Sequence, residues 1–469
     1  MHEHGEKSEN SNSGERDYSI AFLCITVSGA CYQVARAKGV KAVKNLTWLI
    51  VILACVLIFG SKPARAASEL ETWCLFVGAS WTPGPLVDTC TIPVAKLVSI
   101  PSGETLTVAK GEAIVNNEGT IDNDGTIRNY GDIDNDGTIH NYGDIYNFGG
   151  MDMNGTIDND GTIDNSGTIY NAHGGYIDNN GTIYNNDGGT IDNAFHITNY
   201  DGGDIYNDGT ITIYSGGGTI TNKGDIVNND GGTIDNAGNI TNYDGGTIYN
   251  DGYIVSDYYA GYIENDGTIE NDGDIYNFGG IDNKGTIDNK GTIENKGYIH
   301  NYDTIANAGD IENDGTIDND GTIDNNGTID NNGTIYNSGD IENDDTITNN
   351  GTIYNNAGGT IYSDGYIVSD GTIYNYGDID NDGTIVNDGD IANRDGGTIE
   401  NNGDIDNNGT IYNDGYIEND GTITNDGDIT NNGDIINYCP GIYKGNLPVG
   451  NPIVNISCKI FLPLQKTYP

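Results

Sequence analysis

Two stretches carry carboxylates at the spacing with which calcium loops begin: Asp132-Ile133-Asp134-Asn135-Asp136-Gly137 and Asp378-Ile379-Asp380-Asn381-Asp382-Gly383. Carboxylates at positions one, three and five, followed by Gly, can wrap a hard cation. The twelfth position, where a bidentate Glu closes such a loop, holds Gly143 and Gly389 instead. These six Asp are therefore candidates for loose binding, with calcium or another divalent cation held diffusely along the chain, and no cofactor is required. His140 and His300 stand in outward slots without a nucleophile–base pair or a ligand cluster beside them in sequence, so no catalytic residue is expected and the chain does not read as an enzyme. Tyr362, Tyr374 and Tyr412 have rings that stack on sugars, although cross-strand packing of Tyr on a solvent face is the plainer reading.

The elements that position these residues come from one phrase, roughly Gly-Thr-Ile-x-Asn-x, repeated about fifty times from Gly119-Thr120-Ile121 to Ile435. Within Thr-Ile-x-Asn the alternation is period two, so Ile and Asn share one face and Thr and x the other. The following Asp-Gly or Asn-Gly is turn chemistry, expected to use the freedom of Gly for positive φ. Gly every six residues excludes a helix. What remains is an all-β, elongated β-solenoid of hexapeptide repeats, with Ile stacked on Ile inside and Asn on Asn in amide ladders.

The irregularities suggest the size of the coil. Nine Ile-to-Ile steps lengthen to eight or nine residues, at 169–177, 183–191, 197–205, 211–220, 226–234, 240–248, 254–263, 353–361 and 391–399. All nine fall on the same parity of hexads. From Ile361 to Ile429, Thr precedes every second Ile and Tyr or Asp precedes the others. Both signals make every second hexad equivalent. We therefore expect two hexads, about twelve residues, per coil, because a three-sided coil would scatter the insertions over three corners.

Charge and cysteines speak to location. The chain has a formal charge of -51, and residues 119–437 carry 59 acidic against six basic side chains. Such a surface repels nucleic acid and anionic membrane. Residues 1–66 read as a leader. Within it, Ser19 to Val34 is mildly apolar, either a short helix or sequence ahead of the true start. Then come a basic region (Arg36, Lys38, Lys41, Lys44), an apolar run from Leu46 to Gly60, and Ala64-Arg65-Ala66 with cleavage expected after Ala66. The apolar run is short for a bilayer span; membrane contact would come only through this segment if it stayed uncleaved. Residues 67–118 read as an N-terminal cap with Cys74 paired to Cys90, 119–437 as the array, and 438–469 as a Pro-rich C-terminal cap with Cys439 paired to Cys458. Two local disulfides fit an oxidising compartment, which places the protein outside the cell.

With its Gly-Thr-Ile-x-Asn hexads the chain resembles the short-repeat β-solenoid surface proteins, adhesin-like or haemagglutinin-like. The resemblance covers about two-thirds of the chain and implies cell-surface display, attachment or a matrix role, with surface glycans or other cell-surface proteins as partners. It carries over no residue-level site. Unlike autotransporter adhesins, the chain is expected to have no C-terminal membrane barrel. It departs from left-handed hexapeptide acyltransferases in having Gly two residues before Ile. The expectation is an exported, non-enzymatic structural or adhesive rod. The alternatives are a carbohydrate- or divalent-cation-binding module, a fibre-forming subunit, and an ice-binding surface, the last disfavoured because Thr-Ile-Thr is sporadic.

Overall fold

The computed structural model describes residues 23–27, 30–34, 68–84, 87–111, 113–172, 174–257 and 260–458. It divides into two units, 1–67 and 68–469. In the first, Leu23–Val27 and Ala30–Val34 pair antiparallel, so this stretch is a strand pair and not a short helix. The basic region, apolar run and Ala66 of the leader lie outside the described residues.

In the second unit each hexad becomes a four-residue strand, Thr-Ile-x-Asn, followed by a two-residue corner. Thr120–Asn123, Thr138–Asn141 and Thr156–Asn159 pair parallel and in register, Ile on Ile and Asn on Asn. The step between equivalent Asn residues is 18. Two further strands, Thr126–Asn129 and Asp132–Asn135, intervene and belong to two other sheets. The solenoid is therefore three-sided, with three sheets of 19 parallel strands each among the described residues, the first sheet carrying one antiparallel strand besides. At about 4.8 Å per coil it runs roughly 90 Å.

This corrects the expectation of two hexads per coil, and the reason lies at the corners. A two-sided coil needs a chain reversal at each edge, and the tight reversals that Asn-Gly makes require positive φ. Among the described residues, positive φ occurs in the insertions, where Gly188, Gly202, Gly231, Gly245, Gly358 and Gly396 have φ between 77° and 94°, and near the ends, but not at the regular hexad corners. A regular corner thus bends the strand by a third of a rotation, and three of them close the path. Gly stands there for close approach: a Cβ on Gly327 would lie 2.2 Å from the carbonyl oxygen of Gly309 one coil below, and one on Gly333 2.0 Å from that of Gly315.

The parity signal was real but belonged to the sequence and not to the coil. A two-hexad sequence period on a three-hexad coil moves each insertion to the next corner. Hence the steps 169–177, 211–220 and 254–263 fall between the first and second sheets. Steps 197–205, 240–248, 353–361 and 391–399 fall between the second and third, and 183–191 and 226–234 between the third and first. The same mismatch staggers charge. Down one face the strand-opening residues read Thr372, Asp390, Thr410, Asp428, and the other two faces also alternate Thr with Asp or Tyr.

Inside, the inward Ile from Ile121 to Ile435 are at most 3% exposed, and the inward Asn up to Asn431 are equally buried. A buried amide is costly unless its hydrogen bonds are made. Here Asn301 Nδ2 donates to Asn319 Oδ1 at 2.8 Å and to the carbonyl of Thr322 at 2.9 Å, and the pattern repeats coil after coil. In the second sheet the ladder is unbroken from Asn123 to Asn431.

The ends differ. Helix α1, Glu69–Phe76, is capped by Ser68, whose Oγ accepts from Glu71 N at 3.0 Å, and Glu69 and Glu71 suit the positive end of its dipole. It buries Leu70 and Cys74 on the first coil, and Cys74 bonds to Cys90. Ser80–Thr82 then pairs antiparallel with Asp88–Ile92, the first strand of the first sheet. At the other end the last two strands, Val449–Gly450 and Val454–Asn455, shrink to two residues beside Pro448 and Pro452, and Cys439 bonds to Cys458. Proline has no N–H to give a ladder.

Candidate functional site

With the inward positions occupied by Ile and Asn, any chemistry must use the outward Thr and x positions and the residue before each corner Gly. Every outward side chain has a neighbour one coil above and below, so the x position of each sheet forms a continuous column.

Asp132 and Asp134 lie on a strand of the first sheet, in extended backbone, and Asp136 on the corner after it. Burial holds the Asp134 carboxyl above its ordinary value, and Asp152 one coil on, Asp132 and Asp136 add to the shift. Asp378 and Asp380 belong to the third sheet and Asp382 to the corner after it, so the two triplets share no face. Asp380 is raised by burial and by Asp382 and Asp364, and Glu400, the next residue in its column, by burial, Asp380 and Glu418. These carboxylates press on one another along the rod.

The basic residues answer locally. Lys284, Lys290 and Lys296 stand before three successive corners and ring the rod. Lys284 pairs with Glu264, Lys296 with Glu294, and Lys290 lies 3.4 Å from Asp288 and 3.6 Å from Asp272.

Of the three Tyr singled out as sugar platforms, Tyr374 and Tyr412 lie on the second sheet and Tyr362 on the third, so no single Tyr face exists. Tyr336, Tyr354 and Tyr374 stack nearly parallel with centroids 5.1 and 4.9 Å apart, and the Arg394 guanidinium covers Tyr374 at 5.5 Å. Their faces are spent on each other; edges and hydroxyls are what they present.

The histidines find partners that sequence neighbours did not reveal. His140 Nδ1 lies 2.8 Å from Asp122 Oδ1, one coil below. His300 comes together with Asp318 and Asp320, one ligand atom from each lying within 4.8 Å of the others. The spacing of about 18 residues was the only signal that could have found these groupings, and the twelve-residue coil concealed it.

Residues 255–357, 334–409 and 378–438 match the haemagglutinin repeat, which covers the second half of the array. No curated protein matches the chain.

Proposed function

We propose that this haemagglutinin-repeat β-solenoid acts as an exported, non-enzymatic adhesive rod at the cell surface or in the extracellular matrix. The observation that carries the reading is the match of the haemagglutinin repeat to an array whose inward positions are given over to Ile and Asn, leaving the outward columns for contact. Disulfides near both ends of the solenoid fit an oxidising compartment. A helix and an antiparallel strand cover the first coil, which suits a rod that must not add strands from a neighbour. Glycans or proteins of another cell surface are the proposed partners, met by Tyr hydroxyls, Thr and carboxylates.

The test combines location with adhesion. Native cells are fractionated, the extracellular form is sequenced from its N-terminus, and beads coated with it are scored for attachment to cells and to a glycan array. The reading expects a form that begins at Ala67 and attaches saturably. Retention in the cytosol with reduced cysteines, or no attachment to any surface, would sink it.

A further inference from the structure

We propose that His300, Asp318 and Asp320 form a site for a divalent transition-metal ion, of which zinc is the test case. The site is independent of the adhesive reading.

Its chemistry is mixed where the rest of the surface is not. One imidazole nitrogen with two carboxylates suits a borderline ion such as zinc better than calcium, which takes six to eight oxygens. Among the described residues this is the one group of three or more His, Cys, Asp or Glu side chains with ligand atoms mutually close, all within 4.8 Å. His300 Nε2 is already 3.2 Å from Asp320 Oδ2. Tetrahedral bonds of about 2.0–2.1 Å place neighbouring ligand atoms about 3.3 Å apart, so this pair needs little movement. Water would fill the remaining positions, since Asp320 is exposed.

The surroundings orient the ligands. The Tyr302 ring lies 3.7 Å from the His300 ring, centroid to centroid, and Tyr298 meets it edge-on at 5.8 Å, so the imidazole is held from two sides. Tyr298 Oη donates to Asp318 Oδ2 at 3.1 Å, which fixes that carboxylate from the side. Outer partners of this kind orient ligands and strengthen binding. Asp282, the neighbour of His300 on the coil below, is engaged by the Tyr262 hydroxyl and does not take part. His140 supplies an internal control, because it stands between Asp122 and Asp158 in its column and pairs with Asp122, yet forms no such triad.

The experiment is a calorimetric zinc titration of the full chain beside His300→Ala, Asp318→Asn and His140→Ala. The wild type and His140→Ala should bind one zinc equivalent more than His300→Ala and Asp318→Asn, or bind it at least tenfold more tightly. Both affected side chains face outward, so melting without metal should be unchanged; should His300→Ala fail to fold, Asp318→Asn carries the comparison. Copper(II) in place of zinc should show a nitrogen hyperfine signal in the wild type that is reduced in His300→Ala. Equal stoichiometry and affinity in all four proteins would mean diffuse binding to the acidic columns only, and would overturn the site.

Discussion

Ser369 sits directly below Asn387 in the first sheet, and Asn387 Oδ1 consequently has no protein donor. The amide of Asn349 reaches Ser369 Oγ at 3.1 Å, but the short side chain passes nothing on. The same fault recurs at Asn381 above Ser363, Asn277 above Ser256, Asn171 above Met153 and Asn123 above Ile100. Asn236, above Ile213, escapes because Gly238 N donates to it at 3.1 Å. The ladder is a one-way chain of donors, so a Ser, which still accepts from below, starves only the next member.

Restoring the donor should stabilise. Ser369→Asn and Ser363→Asn are each expected to raise unfolding stability by about 1 kcal/mol, the net worth of a buried hydrogen bond regained. Asn319→Ala, in the unbroken ladder, should lower it by about 2 kcal/mol or more, since it orphans Asn337 Oδ1 and deprives Asn301 of its acceptor. Chemical denaturation of the three variants decides it; a ladder that serves only to fill space predicts no gain from either Ser→Asn change.

A side chain in place of a corner glycine should cost stability, for reasons of space. Gly327→Ala is expected to cost 1–3 kcal/mol or so, as overpacking does, because its Cβ would meet the Gly309 carbonyl at 2.2 Å. Asp345 occupies an equivalent corner, and Tyr366 N reaches its carbonyl at 2.6 Å, shorter than at most glycine corners. Asp345→Gly should therefore leave the melting temperature unchanged or raise it. A loss comparable to that of Gly327→Ala would refute the close-approach account.

Staggering of charge gives a salt-dependent prediction. Thr410 separates Asp390 from Asp428 on one face. Carboxylates on adjacent coils about 4.8 Å apart repel by roughly 0.9 kcal/mol even in bulk water, and by half that at twice the distance. Thr410→Asp should lower the melting temperature at low ionic strength, and about 0.5 M salt should recover most of the loss. A loss indifferent to salt would point to packing instead.

Acidification should stabilise the rod. Burial raises Asp134, Asp178, Asp204, Asp235, Asp380 and Glu400 above their ordinary values in the folded state. A folded chain whose carboxyls hold protons more tightly than the unfolded chain gains stability as pH falls through their folded values, and the gain is complete below the ordinary carboxylate range near about 4. Melting at about pH 5 should thus exceed melting at pH 7, as expected for carboxylates that crowd without enough cations. Lower melting at pH 5 would show that paired carboxylates dominate.

The N-terminal disulfide should matter more than any one core methyl. Cys74 and Cys90 close a loop with a sequence separation of 16 across α1 and the first coil, worth about 3 kcal/mol by loop entropy. Ile317→Val removes one methyl and should cost about 1 kcal/mol. Melting of the Cys74→Ser/Cys90→Ser variant beside Ile317→Val makes the comparison directly.

Much of this was legible in the hexad. Period two put Ile and Asn inside and Thr and x outside, as Ile317 and Asn319 show, and the pairing of Cys74 with Cys90 followed from their proximity. The His300 group was not legible. Asp318 is distant from His300 in sequence, and only the coil length decides whether the two meet.

The sequence alone determined the strand, the corner and the side of the sheet on which each residue lies, because alternation and turn chemistry are local properties of six residues. The tertiary structure decided how many hexads close a coil. That number depends on how far each corner bends, and the bend follows from glycine backbones stacked coil on coil, a contact between residues such as Gly309 and Gly327 that no single hexad contains.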